Sequence, residues 1–369
     1  MATFDFLKKL ELPKFSLHLG SASQSFVGID IGSDSVKVVQ LRKERERAVL
    51  ETYGELKTAR YFQNEITTGV GGFLGYRDQT LVELLTDVLR ESNVTARKVV
   101  FSLPSSASFI TVVRFPLIRR DEIEAALPFE AKKYIPIPVN EVLLDWQILE
   151  EDEVEKYVAV LLVAVPKSIV TKYQRIAELV KLELQAVEIE SFSLVRSLLG
   201  TDRGITALIH WGAIATTVTI VSMHHIYTNH NFGHGAGEIT LALSQSLGVS
   251  VERAEAVKRE VGLSEKSEER ETADIIMPMV ESTLADIERV MVAYNRTARR
   301  KIERIVLAGG GASLPGLVDH VARRFGLETA IGNPFAQTVF PAFLQPVLKD
   351  VAPNFGIAVG LALRQITLI

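Results

Sequence analysis

The feature that most constrains this chain is a strand-turn-strand segment that occurs twice. Residues 27–41 read VGIDIGSDSVKVVQL, with alternation resuming after a Gly-Ser-Asp-Ser turn, which predicts a β-hairpin. Residues 205–221 read ITALIHWGAIATTVTIV. Placing Gly32 on Gly212 also places Ser33 on Ala213, Ser35 on Ala215 and Val38 on Val218. An opening hairpin that returns about halfway along a chain predicts two similar lobes. The length of 369 residues points the same way, being too long for one compact core.

A third element, residues 305–317, reads IVLAGGGASLPGL: a buried strand, three glycines and then a helix. Between these lie helical patterns. Residues 79–91 put Leu81, Leu84, Leu85, Val88 and Leu89 on one face, and residues 272–301 form a longer pattern interrupted near Pro278. The glycine-rich stretch 69–75 reads as a mobile loop. From residue 105 the pattern changes. A strand at 109–115 leads to a helix at 121–134 that stops at Ile-Pro-Ile-Pro, 135–138, because proline lacks a donor and disfavours helix before it. Strands at 142–149 and 157–165, joined by the acidic turn 150–155, precede a helix from about residue 168. The expected layout is a tail at 1–25, first-lobe core at 26–104, inserted βαββα subdomain at 105–183, return at 184–204 and second lobe at 205–369.

Composition removes several classes of function. The 41 basic and 45 acidic residues are scattered, so nothing neutralises a phosphate backbone in bulk and nucleic acid is not expected as a partner. The chain has no cysteine, which excludes disulfides, thiolate zinc sites and a cysteine nucleophile. No apolar run approaches the roughly 18 residues that cross a bilayer. Residues 1–20 place Phe4, Phe6, Leu7, Leu10 and Leu12 among Lys8, Lys9 and Lys14 without a signal-peptide cleavage site. Their apolar face suits a membrane surface; the plainer reading is a tail before the first strand.

A hairpin with a glycine-rich turn points several backbone N–H groups toward one place and suits an anion, phosphate above all. Gly32, Ser33, Asp34 and Ser35 can supply amides and hydroxyls, and Asp30 can hold Mg²⁺ through water. Alone this is a weak motif, since many hairpins turn with Gly and Ser for steric reasons. The run Gly309, Gly310, Gly311 reads either as a tight turn or as close approach of backbone to a nucleotide. The order of the three motifs carries more than any one of them.

That order resembles the actin-like ATPases, and the chain looks like the PilM family of type IV pilus assembly proteins, relatives of FtsA. The resemblance rests on GIDIGSDSVKVVQL (28–41), EAALPFEAKKYIPIPVNEVLLDWQIL (124–149), VERAEAVKREVGL (251–263), IVLAGGGASLPGL (305–317) and GIAVGLALR (356–364). It implies an α/β, actin-like (ribonuclease H-like) two-lobed fold with an inserted subdomain of the PilM/FtsA type, and ATP with Mg²⁺ as ligands. Its first phosphate loop falls on Asp30, Gly32, Ser33, Asp34 and Ser35. Its adenosine loop falls on Gly309, Gly310, Gly311 and Ala312, with Ser313 beside it. Glu255 and Lys258 resemble the pair that meets ribose and purine; the plainer reading is a surface i,i+3 ion pair. Glu190 sits where relatives place the acid that positions attacking water. Gly212, Gly235 and Gly237 stand for the second phosphate loop, which departs from the pattern by having His210 in place of an aspartate. ATP is therefore expected to bind and to be hydrolysed weakly or not at all. His224, His225, His230 and His234 match no standard metal-ligand spacing.

By the same resemblance the protein is a cytoplasmic adaptor at the inner face of the membrane. It binds the N-terminal cytoplasmic peptide of a PilN-type protein between the first lobe and the insert, with Phe129, Tyr134, Ile135 and Ile137 as the surface. The plainer reading places at least half of these in the core of the insert. The alternatives are an FtsA-like division or filament-forming adaptor, the related cytoplasmic domain of a type II secretion system, and a sugar kinase on the same fold. The first would carry a linker and amphipathic helix after residue 364; the last would need a catalytic carboxylate and sugar pocket that the first lobe does not show. The cluster Arg296, Arg299, Arg300 and Lys301 suits a helix end, or acidic lipid.

Overall fold

The apolar hairpin strands are buried on both faces, and each copy opens a sheet. A computed structural model describes residues 24–62, 75–298 and 300–366. The segment 1–23, the glycine-rich stretch 69–74 and Arg299 lie outside the described residues. Two compact units divide the chain, one holding the residues up to Gly200 with Phe335–Pro346 and the segment from Ile357, the other holding Thr201–Pro334 and Val347–Gly356.

In the first unit, β1 (Ser25–Ile31) pairs antiparallel with β2 (Ser35–Glu44), and β2 with β3 (Arg47–Lys57). Past the short α1 (Ala59–Phe62) and α2 (Asp78–Glu91), β4 (Lys98–Leu103) joins β1 in parallel. The insert follows as β5 (Phe109–Pro116), α3 (Arg120–Ala131), β6 (Val142–Asp152) and β7 (Tyr157–Pro166). Then α4 (Lys167–Leu179) leads to β8 (Glu183–Ile189), parallel to β4, and α5 (Glu190–Leu199). In the second unit β9 (Thr206–Trp211), β10 (Thr216–Ser222) and β11 (His225–Phe232) precede α6 (Ala236–Leu247), α7 (Val251–Val261) and α8 (Arg270–Thr297). Next come β12 (Arg304–Ala308), α9 (Leu317–Phe325) and β13 (Glu328–Ile331). The two-residue β14 (Thr338–Val339) and α10 (Gln345–Leu363) close the chain.

The expected duplication is present in the connectivity. Strand order is β3-β2-β1-β4-β8 in one sheet, with β14 added outside β3, and β11-β10-β9-β12-β13 in the other. Both turns close by the same bond: the Gly32 amide donates to the Ser35 carbonyl at 3.1 Å, and the Gly212 amide to the Ala215 carbonyl at 2.9 Å.

The insert is a separate three-stranded antiparallel sheet, β5-β7-β6, with β7 central and buried along nearly its whole length. Its core joins Val113 and Phe115 to Ile123, Leu127 and Ala131 of α3. Strand β6 runs into the acidic segment because Asp152 makes the turn, its carboxylate accepting the Val154 and Glu155 amides at 2.9 and 3.0 Å. Two helices differ from the sequence reading. Helix α3 ends at Ala131, short of residue 134, and contains Pro128; α8 runs unbroken through Pro278. Both prolines are exposed, as are Glu124 and Asp274 four residues earlier, so water can satisfy the carbonyl that loses its helical donor.

The C-terminal stretch departs from a second lobe running to the end of the chain. Strand β14 pairs in parallel with β3, Thr338 opposite Ala48. Helix α10 comes so close to β1 that a Cβ on Gly28 would stand 2.0 Å from the Ala358 carbonyl oxygen and 2.7 Å from the Ala362 nitrogen. The segment Ala342–Leu363 is long and apolar enough to cross a membrane, yet 67% of its most apolar 18-residue window is buried inside the protein, as in a core helix. Beside it, Arg196 donates to both carboxylate oxygens of Glu188, at 2.7 and 2.6 Å, and to the Gly360 carbonyl at 2.8 Å.

Gly28→Ala is expected to destabilise the first unit by ~3 kcal/mol or more, as overpacking against backbone does when neither side can yield. Gly233, whose Cβ would meet nothing within 4 Å, is the control, with an alanine effect inside about 0.5 kcal/mol. Amide exchange of β1 reads the unit by itself; equal effects of the two substitutions would refute the packing account.

Candidate functional site

Asp30 ends up near the C-terminal end of β1, 4% exposed, its carboxylate accepting from the Ser102 hydroxyl at 2.8 Å. Burial pushes the Asp30 carboxyl above its ordinary value against the pull of Lys37 and Ser102. Lys37, opposite Asp30 in the β1–β2 register, donates to the Ser35 hydroxyl at 2.7 Å, and Ser35 is buried. The turn itself is stitched from outside by Thr58, whose hydroxyl donates to the Ser33 carbonyl at 2.7 Å and whose amide donates to the Asp34 carbonyl at 3.0 Å. Asp34 forms an ion pair with Lys57. Gly32 and Ser33 remain at the partly exposed tip, while Ser35 faces inward.

Glu190 opens α5 directly after β8, and its carboxylate accepts the Ser105 amide at 3.2 Å. Burial, reinforced by the negative charge of Asp30, pushes Glu190 up to about 8. Asp30, Ser102, Ser105 and Glu190 thus gather at the C-terminal ends of three adjacent strands, the edge where open α/β sheets bind ligands. The sequence reading missed Lys37, Ser102 and Ser105; for Lys37 the signal was its place seven residues after Asp30, across a two-stranded turn.

In the second unit the start of α6 lies on the β9–β10 turn. The Ala236 amide donates to the Gly212 carbonyl at 2.9 Å and the Gly237 amide to the Ala213 carbonyl at 2.8 Å, so the Gly237 amide is already engaged. His210 takes the place that Asp30 holds in the first hairpin. The other histidines assemble no metal centre: among the described residues no group of three His, Cys, Asp or Glu side chains converges. His234 instead meets Glu238 at 3.2 Å.

Glu255 and Lys258 are not a surface pair. The Lys258 ammonium is buried and donates to the Ala236 carbonyl at 3.0 Å, the Thr240 hydroxyl at 2.7 Å and the Glu255 carboxylate at 2.6 Å. Burial pushes Glu255 up, but bonds from Lys258, Thr240 and Arg259 outweigh it and bring the carboxyl down to about 2. With Trp211, Gly310, Gly311 and Ser313 this network lines a cavity of about 20 Å³. Glycine is required at 311, where a Cβ would stand 2.6 Å from the Trp211 ring, and at 309, where φ is +84° and a Cβ would stand 2.5 Å from the Trp211 carbonyl oxygen. Ala312 is buried beneath the motif. The Trp211 indole N–H is buried with no hydrogen-bond partner among the described residues, an arrangement that costs about 1–3 kcal/mol. The donor set fits a nucleoside: a lysine ammonium, a carboxylate with lone pairs to spare, and backbone open to close approach. A cavity of that volume holds about one water.

The four expected partner residues divide. Phe129 is 71% exposed and Tyr134 45%, whereas Ile135 belongs to the insert core and Ile137 packs against it. Phe129, Ile135 and Ile137 line an open groove of about 680 Å³ together with Pro128, Lys132 and Pro138; Tyr134 is not in its lining. The whole lining comes from residues 128–140 of the insert.

The sequence profile of the type IV pilus assembly protein PilM matches residues 28–366. The chain belongs to the PilM family. This selects pilus assembly over the division-type and secretion-type readings. A solved structure described as the PilM-PilN type IV pilus biogenesis complex is similar with a TM-score of 0.79 and 21% identity, covering 92% of this chain and 98% of that one. The ethanolamine utilization protein EutJ from Carboxydothermus hydrogenoformans gives 0.53 at 15% identity, over 92% and 89%. MreB 5 of Spiroplasma citri, bound to AMPPNP, gives 0.53 at 13% identity, over 91% and 94%. At such identities the likeness is one of fold, and this PilM-family protein has the actin-like ATPase fold.

Glu190 generates a prediction about pH. Below the ordinary glutamate value of 4.5 both folded and unfolded chains keep the proton; between there and about 8 only the folded chain keeps it, so stability falls as pH rises through that window. Glu190→Gln, which retains an acceptor for the Ser105 amide, is therefore expected to raise Tm more at about pH 9 than at about pH 5. A Tm difference independent of pH would show that Glu190 is not held protonated.

Proposed function

We propose that this protein is a cytoplasmic, ATP-binding adaptor of the type IV pilus assembly complex at the inner face of the membrane. It holds the N-terminal cytoplasmic peptide of a PilN-type membrane protein on its inserted subdomain. The observation that carries the partner reading is the open groove of about 680 Å³ lined by the 71% exposed Phe129 together with Ile135 and Ile137. The protein bound in the related solved complex is a PilN. Prolines at 136 and 138 leave this rim few backbone donors, and the Ile135 amide is taken by the Ala131 carbonyl at 3.0 Å. Apolar side-chain pockets, more than main-chain pairing, therefore supply the binding energy here.

The unit 2 cavity is the base and ribose pocket, with Lys258 and Glu255 as its polar groups and the glycine motif as its floor. Each unit has its own anion-binding turn, Gly32–Ser33 in the first and Gly212 in the second, and in the first Asp30 is the carboxylate that would hold Mg²⁺ through water. Turnover is weak. His210 cannot accept metal-bound waters as a carboxylate does, and Glu190, protonated at neutral pH, cannot take a proton from water. Binding without rapid hydrolysis suits an adaptor in which nucleotide selects one conformation for a partner.

Affinity capture of the tagged protein from native membranes, read by mass spectrometry, is expected to recover a single-span protein with a short cytoplasmic N-terminus. Division-ring proteins in its place, or no membrane partner, would sink the proposal. Phe129→Ala is expected to weaken binding of that N-terminal peptide roughly tenfold or more in titration calorimetry. For the nucleotide, His210→Asp is expected to raise ATP turnover, and an unchanged rate would count against the metal argument.

A further inference from the structure

The repeat supplies an internal control for one residue. Where the second hairpin has Trp211, the first has Ile31, both one residue before the turn glycine and both buried. An aliphatic side chain fills such a position without any polar atom to satisfy, yet here the chain buries an indole N–H that meets no acceptor among the described residues. Trp211 also lines the cavity that holds Lys258 and Glu255, and its ring is what Gly311 makes room for. A buried donor without an acceptor, on a residue that lines this cavity, is an arrangement that a ligand can complete once the ring shifts.

We propose that the Trp211 indole N–H is a specificity-determining donor, pairing with a ring nitrogen of the purine that enters beside Lys258. The inference rests on the reading of this cavity as a nucleotide pocket and adds to it a reason for selecting heterocycles with an acceptor at that edge. Pyrimidine rings, which are smaller, and purines lacking that nitrogen leave the donor orphaned and bind less well.

Trp146 and Trp211 are the two tryptophans of the chain, so ¹⁵N-labelled Trp146→Phe protein has one indole N–H resonance. On titration with ATP that resonance is expected to move downfield and its exchange with solvent to slow. Among 1-deaza-, 3-deaza- and 7-deaza-ATP, one is expected to bind roughly three- to tenfold more weakly than ATP, a loss that disappears in Trp211→Phe. The resonance measurement needs no change at position 211 and stands whether or not that variant folds. ATP binding with an unmoved indole resonance, or a deaza penalty that persists in Trp211→Phe, overturns this inference and leaves the nucleotide pocket intact. No ATP binding at all overturns both.

Discussion

Unit 1 depends on a backbone contact with no side chain in between. Helix α10 lies on β1 at Gly28, where the spacing of 2.0 Å between a would-be Cβ and the Ala358 oxygen leaves no tolerance. Next to it the Glu188 carboxylate receives Arg196, which also reaches the Gly360 carbonyl, and Arg364 lies at 3.4 Å from the same carboxylate. A buried pair of this kind is weak as a source of stability, because desolvation of both charges offsets their attraction. Its effect is specificity: sliding α10 by one residue would strand a buried guanidinium. The last helix therefore fixes the strand that carries Asp30.

On that frame the two hairpins show how one geometry holds different chemistry. The turn bond is the same in both, Gly32 to Ser35 and Gly212 to Ala215. Besides the turn side chains, Ser33, Asp34 and Ser35 against Ala213, Ile214 and Ala215, the residue two before the glycine and the one directly before it differ. In the first copy these are a carboxylate and an aliphatic; in the second, an imidazole packed against Gly309 and an indole packed against Gly311. The second hairpin has lost the group that would order metal-bound water and has gained bulk against the glycine motif.

Much of this was legible because it rests on local chemistry. The hairpins show through alternation and turn residues, the insert through its proline stop, the glycine motif through its order after the other two. What stayed hidden depends on partners distant in sequence. No local signal says that residues 335–346 return to β3, since a two-residue strand has no periodicity to detect. Pro278 reads as an interruption until the helix is known to turn that residue toward solvent. Lys258 reads as a surface charge because i,i+3 spacing says nothing about the Ala236 carbonyl, 22 positions away, that accepts from it. Ile135 and Tyr134, adjacent in sequence, part company because α3 ends at Ala131 and the following turn directs one inward and the other out.

The closed cavity gives the adaptor reading a physical form. Lys258 spends its three donors on Ala236, Thr240 and Glu255, so it joins the start of α6 to α7 across the place where a nucleoside would sit. A ligand must replace those contacts with its own, and its apparent affinity falls by the fraction of molecules that are open beforehand. On the proposed reading of this cavity, a nucleotide that took over those contacts would loosen the tie between α6 and α7. Because the Ala236 and Gly237 amides also hold the β9–β10 turn, that loosening would reach the hairpin as well as the cavity. In the proposed adaptor, occupancy would thereby become backbone displacement within unit 2, and slow hydrolysis would keep the displaced form for as long as nucleotide stays bound.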